Sequence, residues 1–212
     1  MILWTIQSEE VYRIIEEKGV YHCDISKSGF DSLEKQYRWL AEQMKEKIGE
    51  PPEGVEFPVW AWYMWENVKK EPDLRRERWA NGCRGDCFAC MEIDIPAEQL
   101  VLTDFDTWSL ILLNVLISDT EDEDSRLEEK YNSLSDADKW KMLSNNWERV
   151  FDLTPLNNGW AIRGSSIQAT FWELRKEQIR NVRFFEGAAK RPERDFECEE
   201  QCVLKKSFML DK

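Results

Sequence analysis

FPVWAWYMW, residues 57–65, holds three tryptophans, a tyrosine and a phenylalanine in nine positions. Aromatic residues following a proline favour an extended strand. In a strand, Trp60, Trp62 and Met64 face one way, while Val59, Ala61, Tyr63 and Trp65 face the other. Both faces are apolar, so the stretch reads as a central strand covered above and below. That reading sets the fold class: α+β, a mostly antiparallel central sheet flanked by helices. Indole rings also stack on nucleobases and sugars, so Trp60 and Trp62 carry two readings, core anchor and pocket wall.

Upstream, LWTIQ (3–7) reads as a first strand and Ser8 as the cap of a helix with Val11, Ile14 and Ile15 on one face. Gly19 supplies the left-handed exit, and VYHCD (20–24) starts an extended segment. Leu33, Tyr37, Leu40, Met44 and Ile48 recur at helical spacing; Asp31 and Glu34 have capping-pair spacing, and Gly49, Pro51 and Pro52 end the helix.

Downstream, FACMEIDIP (88–96) alternates buried Ala89, Met91, Ile93 and Ile95 with Glu92 and Asp94, and QLVLTD (99–104) extends the edge of the sheet. Asp104 caps a helix through residues 105–117. DTEDED (119–124) reads as a solvated turn, and 127–151 as helical with Trp140, Leu143, Trp147, Val150 and Phe151 inward. GWAIRG (159–164), SIQATFWEL (166–174) and IRNVRFF (179–185) read as strands. With no internal repeat and no long linker, one domain spans 1–212, with a polar C-terminal tail from about residue 188.

At 42% hydrophobic and 33% charged residues, the chain has a globular balance. No run approaches the roughly 18 apolar residues of a membrane span, and the N-terminus lacks a secretion signal. A cytoplasmic protein without membrane association is expected. The net charge of −13 opposes non-specific attraction to nucleic acid and favours a basic protein partner. Two clusters run against that trend: Lys69, Lys70, Arg75, Arg76, Arg78, Arg84, and Arg175, Lys176, Arg180, Arg183.

Cysteines stand at 23, 83, 87, 90, 198 and 202. Cys83, Cys87, Cys198 and Cys202 form two C-x3-C pairs that suit tetrahedral zinc. Cys83, Cys87 and Cys90 also have iron–sulfur spacing, but Cys90 falls inside a strand. The only histidine, His22, adjoins Cys23; neighbours in a strand point to opposite faces, which argues against a nucleophile pair. Asp104 and Asp106 sit about 200° apart around a helix, which suits capping and dipole roles rather than shared acid–base work.

LWTIQSEEVYRIIEEKGVY, YRWLAEQM, FPVWAWYMW, IDIPAEQLVLTDFDTW and IQATFWELRKEQIRNVRFF together resemble an uncharacterised bacterial family, domain of unknown function 3841, over about residues 1–187. That resemblance implies no particular activity. The order of a short first strand, a helix ending in glycine, a central strand pair and a late strand followed by E-Q-I-x-x-V is also similar to small ADP-ribosyltransferase-type folds.

The second resemblance implies a His or Arg on the first strand and a Glu on the late strand, gripping nicotinamide adenine dinucleotide and stabilising a ribosyl cation. Here the first strand offers Trp4 and Thr5, and the late strand offers Gln168, a neutral amide. Glu173 falls on the other strand face. The implied ligand contacts are Thr5, Gln7, Trp62, Arg163, Ser165, Ser166 and Gln168. Three functional readings stand: an enzyme or catalytically degenerate enzyme with an ADP-ribosyltransferase-like fold that binds a nucleotide (NAD) or nucleic-acid end; an acidic interaction protein that inhibits or regulates a basic partner; and a zinc-stapled structural module.

Overall fold

In the computed structural model, which describes residues 1–24 and 31–189, the first strand β1 (Ile2–Ser8) leads into helix α1 (Glu9–Lys18). The Ser8 hydroxyl accepts from the Val11 amide, and Gly19 leaves the helix at φ 79°. There follow β2 (Val20–His22), α2 (Glu34–Ile48), β3 (Val59–Met64), α3 (Leu74–Ala80), β4 (Cys87–Asp94), β5 (Val101–Asp104) and α4 (Phe105–Leu112). Helices α5 (Glu121–Asn132) and α6 (Asp136–Trp147) precede β6 (Leu156–Asn157), β7 (Ile162–Arg163), β8 (Ile167–Phe171), β9 (Glu173–Arg175) and β10 (Ile179–Glu186).

Six strands form one antiparallel sheet in the order β10-β4-β1-β3-β8-β5, which puts FPVWAWYMW near its centre and 101–104 at its edge. One face packs on α1: Leu3, Val59, Ala61, Ala89, Met91, Ile93, Ala169 and Phe171 close around Ile15. The opposite face packs on α2, α4 and α6, where Val101 and Trp60 meet Leu40, Met44, Trp108, Ile111, Leu143 and Trp147. This second core is built from aromatic edges: Trp60 lies 5.1 Å from Trp108, and Trp39 lies 5.5 Å from Trp147. Trp60 thus serves as a core anchor.

The structure corrects several expectations. Helix α4 stops at Leu112 instead of 117, because Asn114 takes φ 57°, leaving Leu113 and Val115 exposed. Residues 121–124 of the expected turn form the first turn of α5: Thr120 accepts from the Glu123 amide, and the four acids there favour the helix N-terminus. The 127–151 region is two helices, because Ser135 starts a new one by accepting from Asp138. A 3₁₀ turn, Asp31–Leu33, replaces the expected capping pair, and α2 starts from Leu33 with no side-chain cap bond.

The expected strand 166–174 breaks at Trp172, and β9 leaves the sheet to pair with β2. Only Ile162 and Arg163 of the expected strand 159–164 are extended, paired with β6. A bulge between Trp62 and Met64 ends the simple alternation of β3. Helix α3 had no counterpart in the sequence reading.

Candidate functional site

Pairing register sets four residues in one line across the sheet. Trp4 lies opposite Trp62, Trp62 opposite Gln168, and Gln168 opposite Thr103. Directly opposed residues project from the same face, here the face shared with Trp60 and Val101. The line continues to Glu92 on β4 and Asn181 on β10.

The row is polar where a sheet core is ordinarily apolar. Trp4 Nε1, Gln168 Oε1 and Thr103 Oγ1 are buried with no hydrogen-bond partner among the described residues. Trp60 Nε1, two residues along β3, and Gln36 Oε1, on the α2 stripe shared with Leu40 and Met44, complete the set. Other indoles are satisfied: Trp147 Nε1 donates to Val115 O at 3.1 Å and Trp172 Nε1 to Gly49 O at 3.0 Å. An unsatisfied buried polar group costs about 1–3 kcal/mol, and folded chains keep few of them. Their concentration leaves hydrogen-bonding capacity unused in the layer between this sheet face and α2.

At its margin the row meets an aromatic edge. The Trp62 ring stands 4.8 Å from Trp65 and 5.1 Å from Phe105, both edge-on, and Trp65 is 42% exposed. Trp65 and Val68 close a two-residue hairpin by reciprocal backbone bonds, with Glu66 at φ 47° and Asn67 at φ 64°. Such a turn requires both central residues in the left-handed region, where glutamate is unfavourable by about 1–2 kcal/mol. The tip is fastened from outside: Asn67 N donates to Ser165 O at 2.7 Å, and Glu66 N to Ser166 Oγ at 3.2 Å.

The segment that fastens this tip, residues 164–166, also anchors α4: Phe105 N donates to Ser166 O at 2.9 Å. Asp104, fully buried, accepts from Thr107 N, Thr107 Oγ1 and Gly164 N at 2.7–2.8 Å. Gly164 sits at φ 77°, and a Cβ there would meet Leu153 O at 2.7 Å, so glycine is required twice over. Asp106, half-buried in the first turn of α4, has its carboxyl raised from 3.8 to about 6, first by burial and then by the charge of Asp104; a hydrogen bond with Ser165 opposes the shift. The two acids therefore interact electrostatically despite their angular separation, a coupling that helical spacing alone did not reveal.

Of the residues expected to contact ligand, Trp62 and Gln168 share the row, and Ser165 and Ser166 lie at its hairpin margin. Thr5 and Gln7 project from the opposite face: Thr5 Oγ1 donates to Trp60 O at 2.8 Å, and Gln7 Nε2 donates to Thr5 Oγ1 at 2.8 Å. Arg163 is buried with its guanidinium committed to Asp119 and Asp152, each at 3.0 Å. Glu173 lies in the β2–β9 ribbon, bonded to His22 at 3.1 Å and to Arg175. Thr103 was missed by sequence reasoning, and Trp4, offered by the first strand, was not among the expected contacts, although the even spacing of Trp60 and Trp62 hinted at a one-sided indole row.

Cys83 bridges Ala189 through its backbone and Cys87 opens β4, whereas Cys198 and Cys202 lie outside the described residues. Among the described residues no group of three or more His, Cys, Asp or Glu is placed to hold a metal ion. The Cys90 thiol is buried, its pKa pushed up to about 12 chiefly by desolvation. No helix among the described residues is long and apolar enough to cross a membrane.

An antiparallel six-stranded sheet with helices on both faces defines an α+β domain. The chain belongs to the family described as domain of unknown function (DUF3841), whose model matches residues 2–180. No curated protein and no solved structure matches it.

Proposed function

We propose that the chain binds a nucleotide on the Trp4–Trp62–Gln168–Thr103 row, with the layout of an ADP-ribosyltransferase and without its transfer chemistry. The observation that carries this reading is the trio of buried atoms in that row with no hydrogen-bond partner among the described residues. Gln168 and Thr103, on the adjacent strands β8 and β5, offer an amide acceptor and a hydroxyl to the edge of a nucleobase, the Trp62 ring offers it a face, and the Trp4 indole N–H, two strands from Gln168, is a donor for a more distant oxygen of the same nucleotide.

Support from the resemblance lies in position. Trp4 and Gln168 stand on the first and late strands, facing the same way with Trp62 between them. Stabilising a ribosyl cation requires a negative charge beside it, and Gln168 brings none. Glu173, held by His22 and Arg175 on a separate ribbon, does not replace it.

Melting curves with AMP, ADP-ribose and NAD test the reading, because a ligand that binds only the folded state raises Tm. Stabilisation lost in Gln168→Leu supports it. No shift with any of these at millimolar concentration, or a shift unchanged in Gln168→Leu, overturns it.

A further inference from the structure

Helix α3 buries none of its side chains. It is held instead through the backbone: Ala188 N donates to Arg78 O at 2.6 Å, Ala189 N to Gly82 O at 3.2 Å, and Arg84 N to Ala189 O at 3.0 Å. Its outward side chains are therefore not needed for core packing, and they include Trp79, 64% exposed. An indole left that far in water forgoes most of its burial free energy and leaves a ring face open to stacking.

Arg76 and Arg78 share the helix with Trp79, and Lys70 and Arg84 stand on its flanking segments; all four are exposed. The acids of the same stretch have partners, Asp86 accepting from Cys83 N at 2.9 Å. Asp73 pairs with Arg75 at 2.8 Å, Glu71 with Arg183 at 2.9 Å, and Glu77 accepts from Asn81 Nδ2 at 2.6 Å. Among the described residues Lys70, Arg76, Arg78 and Arg84 make no ion pair. Arg76 precedes Trp79 by three residues, which sets guanidinium and indole side by side on the helix surface. In a chain of net charge −13, residues 69–86 carry six cations against four acids, a locally basic stretch with an exposed ring.

We propose that this surface binds single-stranded nucleic acid, the four cations meeting phosphates and Trp79 stacking on a base. Charge complementarity selects a polyanion, and the exposed ring selects one with unstacked bases over a duplex, whose bases are already stacked. The acidic remainder of the chain confines contact to a few nucleotides. The inference goes beyond the nucleotide reading of the sheet row and stands on different residues.

Fluorescence polarisation of the full chain with a labelled oligothymidylate of about ten nucleotides tests it, between about 50 and 200 mM salt. Expected are binding with a log–log salt slope of about −2 to −3 and weakening of about 10-fold in Trp79→Ala. Arg76→Gln and Arg78→Gln should each flatten the slope by about 0.7, while Gln168→Leu leaves it unchanged. These positions are exposed, so the variants should retain the fold, checked by melting. Absence of binding at low salt overturns the proposal. So does equal competition by an acidic peptide, or salt-sensitive self-association abolished by the arginine variants, since either assigns the surface to a protein partner.

Discussion

Trp4 and Gln168, on strands separated by β3, both stand opposite Trp62, and each leaves a buried polar atom unpartnered among the described residues. A chain selected for stability alone would fill such a row with aliphatic side chains, as the other face does with Leu3, Ala61 and Ala169.

Replacing Thr103 by valine should therefore stabilise the free protein. Valine keeps the volume and removes a hydroxyl that is fully buried and unbonded among the described residues. The expected gain is about 1 kcal/mol, or about 2–4 °C in Tm, at the expense of nucleotide affinity. Melting with and without nucleotide checks both effects.

Asp106 should make stability fall as pH rises from about 4 to about 6. Its folded pKa is raised from 3.8 to about 6, so within that window the folded chain binds more protons than the unfolded one. The favourable contribution is fully present at about pH 4 and lost above about pH 6. Asp106→Asn should flatten this segment of the stability profile and raise stability at pH 8, as measured by urea unfolding at a series of pH values.

Asp104→Ala should destabilise by about 2–4 kcal/mol, since it removes the α4 cap and strands the Gly164 amide. It should also lower the pKa of Asp106, because one of the two causes raising it is the Asp104 charge. Carbon-13 titration of the Asp106 carboxyl reads the second effect independently of the first.

Gly187→Ala should loosen the lacing beneath α3. A Cβ at residue 187 would lie 2.4 Å from Cys83 O and 2.5 Å from both Gly82 C and Gly82 O, all backbone atoms that cannot swing away. Hydrogen exchange at Ala188 and Ala189, which donate to Arg78 O and Gly82 O, should accelerate more than exchange in β4.

Patterns carried in consecutive residues were legible from the sequence. Alternation in 57–65 and 88–96 marked the central strands, and Ser8 and Asp104 cap helices as their side-chain chemistry requires. The site was legible only in part. Trp62 and Gln168 could be named one by one, but their alignment with Trp4 and Thr103 depends on cross-strand register, which tertiary pairing sets. Glu173 was displaced by the break at Trp172, and helix α3 escaped notice because it has no buried stripe to give it a period.

The most direct test is the indole N–H resonance of Trp4 in a proton–nitrogen correlation spectrum, assigned by its loss in Trp4→Phe. On titration with AMP, ADP-ribose or NAD, this resonance and that of Trp62 should move, saturate together, and stay fixed in Gln168→Leu. A Trp4 resonance unmoved by all three nucleotides at millimolar concentration would contradict a binding role for the row.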